Sequence, residues 1–140
     1  MNLRLERLVW RRANRACEYC QIEEDRDSLP FQIDHILARK HGGRGSPENL
    51  ALACFSCNNR KGPNIAGRDP VTGRVSRLFN PRRDKWRQHF RWKGPTLLGV
   101  SAPGRTTVEV LEVNLPRRVA LREALIEEGV FPPASTRPEV

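Results

Sequence analysis

The residues of this 140-residue chain that are suited to chemistry lie between positions 17 and 61. An acid and a histidine, Asp34 and His35, stand side by side in the stretch FQIDHILARKHGG. Apolar and polar residues alternate here, which predicts a short strand with Phe31, Ile33 and His35 on one face and Asp34 on the other. Histidine suits a general base near neutral pH, and aspartate is a hard oxygen ligand for a divalent cation. The two side chains converge only if the strand twists or ends at this point.

Two asparagines and a lysine follow this pair. Asn49 lies beyond a glycine-rich loop, Asn58 comes directly after Cys57, and Lys61 stands one helical turn after Asn58. The side chain of Asn58 offers a neutral oxygen ligand, which leaves positions for water and phosphate, as magnesium prefers. A base that deprotonates water beside a cation that neutralises phosphate charge is the chemistry of phosphodiester hydrolysis.

Four cysteines form two CxxC pairs, Cys17 with Cys20 and Cys54 with Cys57, separated by 33 residues. Two such pairs suit a tetrahedral Cys₄ zinc site in which each pair makes a tight knuckle. The zinc would tie the end of the first helix to the start of a later short helix and so stabilise a modest core. Redox or catalytic thiols are the competing interpretation, but they do not explain two CxxC pairs in one short segment.

The composition favours a polyanionic partner. The net charge is +9, and only four of the 25 basic residues are lysines. Arginine binds phosphate with a planar fork, although a GC-rich genome also enriches arginine. For the arginine stripe of the first helix and the tryptophan-containing basic cluster near position 85, a solvated surface is the alternative. The predicted nucleic-acid contacts are Arg11, Arg15, Arg60, Lys61, Arg82 and Arg83.

Neither a secretory signal nor a membrane segment is apparent. The first residues, MNLRLERLVWRR, are charged throughout, and no run approaches the roughly 18 apolar residues of a membrane span. We therefore expect a cytoplasmic protein, in which cysteines are more often metal ligands than disulfides.

The periodicity predicts mixed α and β structure. Apolar residues from Leu5 to Ala16 recur at helical spacing, so we expect a basic helix that ends at CEYC. A strand at FQIDHI, a glycine-rich loop, a returning strand at NLALAC and a short helix at FSCNNRK should follow. After Gly67 we expect a strand in RVSRLF, a basic helix opening at Asn80 and Pro81, and a strand or hairpin between Arg91 and Val100. Two helices should follow, one that begins near Ser101 and carries Val108, Leu111 and Leu115, and one from Pro116 to Gly129.

These motifs together resemble the HNH endonuclease family, whose motif is a ββα-metal finger. The resemblance is carried by the stretch FQIDHILARKHGGRGSPENLALACFSCNNRKG and the preceding CEYC. By that resemblance His35 would be the general base, Asp34 and Asn58 would hold a catalytic metal, and Asn49 would brace the loop that aims His35. The four cysteines would hold structural Zn²⁺. Many members have histidine where this chain has Asn58, which shifts the expected catalytic metal to Mg²⁺ or Mn²⁺.

The resemblance implies an α+β fold in two parts. Residues 1–66 would form the nuclease core with its zinc knuckles and basic helix, and residues 67–140 a small C-terminal extension packed on that core as a single unit. The expected activity is hydrolysis of DNA phosphodiester bonds. A zinc-stapled nucleic-acid-binding protein without catalysis is the alternative, RNA stays open as the substrate, and the oligomeric state stays open between monomer and homodimer.

Overall fold

A computed structural model describes residues 1–138 of the chain, which have a mixed α+β fold. The helices are α1 (Leu3–Arg12), α2 (Phe55–Lys61), α3 (Ala102–Val110) and α4 (Pro116–Glu127). The strands are β1 (Gln32–His35), β2 (Leu50–Ala53), β3 (Ala66–Arg68), β4 (Val75–Arg77), β5 (Phe90–Lys93) and β6 (Thr96–Gly99), paired consecutively as antiparallel hairpins. None of the helices within residues 1–138 is both long and apolar enough to cross a membrane.

Helix α1 begins where the Asn2 side chain accepts a hydrogen bond from the backbone N–H of Leu5. It ends at Arg12, several residues before the first cysteine, and so earlier than the sequence predicted. Asn14 and Arg15 both have positive φ angles, 51° and 57°, which reverse the chain into the first CxxC turn. The arginine stripe of α1 therefore leads into the cysteine cluster through a tight turn rather than a continuous helix.

Strands β1 and β2 and helix α2 form the predicted strand, strand and short helix. In the antiparallel register Asp34 lies opposite Ala51 and His35 opposite Leu50. Every residue of β2 is buried, whereas in β1 only Asp34 is buried, with Gln32 exposed and Ile33 and His35 partly buried. His35 is the last residue of β1, which confirms that the strand ends at the acid–histidine pair.

In the C-terminal part, α3 packs against β6 and against the β3–β4 hairpin. The hairpin between Arg91 and Val100 and the helices after Ser101 and Pro116 are confirmed, but α3 ends at Val110 and so does not include Leu111 and Leu115, which the prediction placed in it. The basic helix predicted from Asn80 is wrong. Asn80 does cap one turn, in which its side-chain oxygen accepts from the backbone N–H groups of Arg82 and Arg83, but the backbone at Lys85 is extended and only a short 3₁₀ turn at Trp86–Gln88 follows.

One cluster of buried apolar side chains includes residues from both halves of the chain. Tyr19, within the first CxxC turn, contacts Phe79 edge-to-face at 6.3 Å between ring centroids. The indole N–H of Trp86 donates to the carbonyl oxygen of Tyr19. The finger and the extension are thus joined by packing as well as by the polypeptide.

Candidate functional site

The four cysteines form one buried cluster. All four are at most 3% exposed, and their sulfur atoms lie within 4.8 Å of one another. Among residues 1–138 this is the one grouping of three or more histidine, cysteine or acidic side chains close enough to hold a metal ion. Four converging thiols without disulfide bonds match the donor set of a structural zinc site.

Local backbone geometry places each pair of sulfurs. In the first turn the N–H of Cys20 points at Cys17 Sγ, 3.5 Å away, and Gln21 adopts a positive φ of 69°. In the second, Cys54 is the N-cap of α2, and its sulfur accepts from the N–H of Cys57 at 3.3 Å. These N–H···S contacts stabilise thiolates and leave the sulfurs aimed at a common centre.

Asp34 is enclosed rather than open. It is 4% exposed, its Oδ2 accepts from the Tyr19 hydroxyl at 2.8 Å, and its Oδ1 accepts from Lys61 Nζ at 3.2 Å. Burial raises the pKa of Asp34, opposed by Lys61 and Tyr19. Both carboxylate oxygens therefore already have partners inside the protein.

Lys61 is the second half of this buried pair. It is 1% exposed, and its ammonium also donates to the carbonyl oxygens of His35 and Ile36, each at 3.2 Å. A lysine has three N–H donors, and all three are used. The predicted contact of Lys61 with nucleic acid is therefore not supported, because no donor is left for a phosphate; the side chain instead holds the end of β1.

His35 is half-buried at the end of β1, on the face opposite Asp34. Its Nε2 is shielded from solvent and has no hydrogen-bond partner among the described residues. Gly45 lies over it, and a Cβ added there would sit 3.7 Å from Nε2. Burial lowers the pKa of His35, and Arg39 lowers it further, while Asp34 opposes the shift. A neutral imidazole with an unused nitrogen is the form that accepts a proton.

Asn49 closes the loop that carries residues 37–48. Its Oδ1 accepts from the N–H of Leu37 at 2.8 Å, and its Nδ2 donates to the carbonyl oxygens of Leu37 and Arg44. Its own carbonyl accepts from the N–H of Ile36, directly after His35. Asn49 thus ties both ends of the loop together beside His35.

The expected catalytic-metal ligands, Asp34 and Asn58, do not form an open cation site in this arrangement. Asn58 projects from α2 and donates to the side chain of Gln32, on the same face of β1 as Asp34. Asp34 is buried and doubly bonded, so a cation would have to displace Lys61 or Tyr19 to reach it. These donors do not fit a divalent cation as they stand.

The five arginines predicted to contact nucleic acid differ in whether their guanidinium groups are free to bind phosphate. Arg15 pairs with Glu24 and lies over the Trp10 ring, Arg60 pairs with Glu112, and Arg82 pairs with Glu18. Each of these guanidiniums already has an acidic partner. Arg11 and Arg83 are exposed and have no ion pair within residues 1–138.

A cleft of about 700 Å³ separates the loop from the C-terminal part. Arg44 and Asn49 line the loop side, and Arg77 and Arg83 line the opposite side. The charge of Arg77 is offset by a two-pronged pair with Asp84, at 2.6 and 3.1 Å. Arg44 and Arg83 make no ion pair among the described residues, although the carboxylates of Glu48 and Asp84 also line the cleft.

Several residues of this site carry no sequence signal. Tyr19 reads as the filler of a CxxC turn, and Gln32 as a polar position of a strand, yet they are the partners of Asp34 and Asn58. Arg44 reads as one residue of a glycine-rich loop. Spacing along the chain does not reveal contacts made between distant elements.

A hairpin followed by a short helix, stapled by a four-cysteine cluster and carrying an acid–histidine pair at a strand end, defines a ββα-metal finger. The family model of the HNH endonucleases matches residues 17–64, about a third of the chain. This segment is an HNH endonuclease domain.

The chain is also 28% identical to the Septu protein PtuB of Bacillus thuringiensis over 116 residues. That alignment covers 81% of this chain but 42% of PtuB, so the chain spans less than half the length of this relative. No solved structure matches the chain.

Proposed function

We propose that this protein is an endonuclease that hydrolyses phosphodiester bonds of DNA, with His35 as the general base. The observation that carries the proposal is the half-buried imidazole of His35, whose Nε2 makes no hydrogen bond to a described residue, held at a strand end inside an HNH endonuclease domain; Nε2 is shielded in this structure, so the loop at Gly45 has to shift before water reaches it. A neutral imidazole there takes a proton from water as the water attacks phosphorus, and the P–O bond to the leaving strand breaks.

Asn49 and Lys61 act as positioning residues in this proposal. Asn49 binds both ends of the loop, and Lys61 binds the carbonyl oxygen of His35 itself. Both contacts restrict how far the imidazole moves relative to the loop; His35 itself does not line the cleft, whereas its neighbour Ile36 does. Positioning of this kind matters because an offset of about 1 Å costs on the order of 100-fold in rate.

The cleft beside the loop is the proposed path of the nucleic-acid strand. Arg44 and Arg83 both line it, one from the loop and one from the C-terminal part, and neither makes an ion pair among the described residues. Two guanidiniums on either side of a cleft suit the phosphates of one backbone, which each can bind bidentately. Affinity should therefore fall as salt rises.

A requirement for Mg²⁺ or Mn²⁺ is part of the proposal and rests on the HNH resemblance. Because Asp34 is closed by Tyr19 and Lys61, we assign no reaction step to the cation. Metal dependence of cleavage is tested by adding each cation to chelator-treated protein that keeps its zinc.

The enclosed state of Asp34 favours one alternative, a zinc-stapled nucleic-acid-binding protein without catalysis. A plasmid-cleavage assay distinguishes the nuclease from the non-catalytic binding protein. It compares the wild type with His35→Ala, after both proteins are confirmed to be folded and zinc-loaded. Conversion of supercoiled DNA by wild type alone supports the nuclease, and the same assay on RNA decides the substrate. Abundant cleavage by His35→Ala would refute its role as base, and binding without cleavage for any divalent cation would favour the alternative.

A further inference from the structure

Helix α4, at the far end of the chain, reaches the four-cysteine cluster with a buried arginine. Arg118 Nη2 lies 3.6 Å from Cys54 Sγ. The residue is 9% exposed, although it lies 64 positions after the cysteine it contacts. Neither the spacing of the cysteines nor the HNH segment at residues 17–64 includes this residue.

A second contact holds the Arg118 guanidinium in place. Its Nη1 and Nη2 donate to the two carboxylate oxygens of Asp27, at 3.0 and 2.9 Å. Asp27 lies in the loop between the first CxxC turn and β1, so the guanidinium connects α4 both to the segment that follows the first zinc knuckle and to Cys54 of the second. A planar guanidinium can satisfy a bidentate carboxylate and still direct an N–H at a sulfur, which an ammonium cannot do with the same geometry.

Electrostatics explains why such a residue is useful at this site. Four thiolates around one Zn²⁺ leave a net charge of about −2 in a site that water does not reach. A buried charge is costly unless nearby cations or N–H donors compensate it. The cluster lies in the apolar core, and Arg118 brings a positive charge and an N–H to one of its sulfurs.

Arg122, one turn further along α4, shows that burial alone does not produce this contact. It is fully buried, but its guanidinium donates to the carbonyl oxygens of Pro95 and Val113 and to the Asn114 side chain. Its hydrogen bonds all lie within the C-terminal part, so it acts on the cysteines only through its charge. Arg118 is the α4 arginine that touches the cluster.

We infer that Arg118 is a positioning residue of the zinc site, which orients the Cys54 thiolate, offsets the charge of the cluster and makes zinc retention depend on the C-terminal extension. The inference rests on the structural zinc and not on the proposed cleavage. Partners beyond the direct ligands typically change metal affinity by roughly 10- to 100-fold. Loss of Arg118 should therefore weaken zinc retention by at least roughly tenfold.

The test compares full-length Arg118→Met and Arg118→Lys with wild type, and uses Arg117→Met as the matched control. Arg117 is exposed on the same helix. Zinc content is measured by elemental analysis, and zinc release is followed with a colorimetric chelator. We expect Arg118→Met to release zinc at least roughly tenfold faster than Arg117→Met, and Arg118→Lys to be intermediate because it keeps the charge and loses the fork.

Cobalt substitution gives a readout that reports the sulfurs themselves. Removing an N–H···S contact makes a thiolate a better donor, so the sulfur-to-cobalt charge-transfer band should move to lower energy in both Arg118 variants and stay unchanged in Arg117→Met. If Arg118→Met fails to fold, Arg118→Lys decides the question. Wild-type release rates and an unchanged cobalt spectrum in Arg118→Lys would overturn the inference. Absence of zinc from the wild type would overturn it too, while leaving the proposed nuclease activity unaffected.

Discussion

The Lys61 ammonium lies 3.2 Å from the Asp34 carboxylate, and each side chain is less than 5% exposed. This pair joins α2 to the end of β1, directly beside His35. Asp34 was expected to bind a metal and Lys61 to contact nucleic acid, but the two side chains bind each other inside the protein. The pair therefore belongs to the scaffold that aims His35 as much as to the site's chemistry.

Lys61→Met should strongly destabilise the protein because it leaves Asp34 buried without its cation. Removing one partner of a buried ion pair costs about 3 kcal/mol or more in free energy of unfolding. Lys40→Met, at an exposed lysine, is the control. Urea unfolding followed by tryptophan fluorescence measures the difference, and equal stability of the two variants would contradict the structural role of the pair.

The double variant Lys61→Met/Asp34→Asn should lose less stability than the sum of its two single variants. The side-chain amide that replaces the carboxylate keeps an oxygen that accepts from Tyr19, and no buried charge remains. Additive losses in the same urea experiment would show that Asp34 and Lys61 do not interact energetically.

Asn49→Ala should reduce cleavage by about 100-fold with zinc content unchanged, because the loop loses three hydrogen bonds beside the base. Asn49→Asp keeps an acceptor for the Leu37 N–H but loses both donors, so it should retain an intermediate rate. Single-turnover cleavage of labelled DNA separates this effect from binding. An unaltered rate in Asn49→Ala would disprove the bracing role.

Arg44→Met and Arg83→Met, each made in the His35→Ala background, should weaken DNA binding several-fold. Each should also reduce the slope of log affinity against log salt by roughly one, as expected when one phosphate contact is lost. Arg117→Met, outside the cleft lining, is the control. Titrations by fluorescence anisotropy at several salt concentrations measure both quantities, and an unchanged slope would place the strand elsewhere.

Asp69→Asn should lower the melting temperature at pH 7 by a few degrees, with the difference shrinking in acid. Hydrogen bonds from Arg105 hold the pKa of Asp69 well below its usual range, opposed by burial and aided by Val71 and Thr72. A carboxyl group whose pKa is lowered on folding stabilises the protein at pH values above its ordinary pKa of about 4. This stabilisation is lost as the pH falls towards the lowered pKa. Melting curves between pH 3 and 8 test this, with exposed Asp25→Asn as control; zinc loss in acid affects every protein compared. A difference that stays constant with pH would contradict the assignment.

A chain ending at residue 66 should not retain zinc or unfold cooperatively. It keeps all four cysteines but loses Arg118 at Cys54 and the aromatic contacts of Phe79 and Trp86 with Tyr19. The division into a core at 1–66 and an extension at 67–140 stays a prediction that this fragment tests. A fragment that binds zinc and melts cooperatively would show that the core folds alone.

The local sequence determined the finger to a large extent. Two CxxC pairs, an acid–histidine pair in an alternating stretch and a short helix after the second pair are signals carried by neighbouring residues, and β1, β2, α2 and the cysteine cluster follow them. Proline and glycine at helix ends likewise located α4. These features need only spacing and local backbone preference.

Only the tertiary structure decided which charged groups are free. Lys61 is enclosed by Asp34, Arg82 is paired with Glu18, and Arg118 reaches Cys54 from 64 positions away. The turn that Asn80 caps stops at Lys85, where the backbone is extended, so the local capping signal did not lead to a helix. Whether a lysine or arginine faces solvent, an acid or a sulfur depends on elements far apart in the chain, and residue spacing carries no information about how those elements pack.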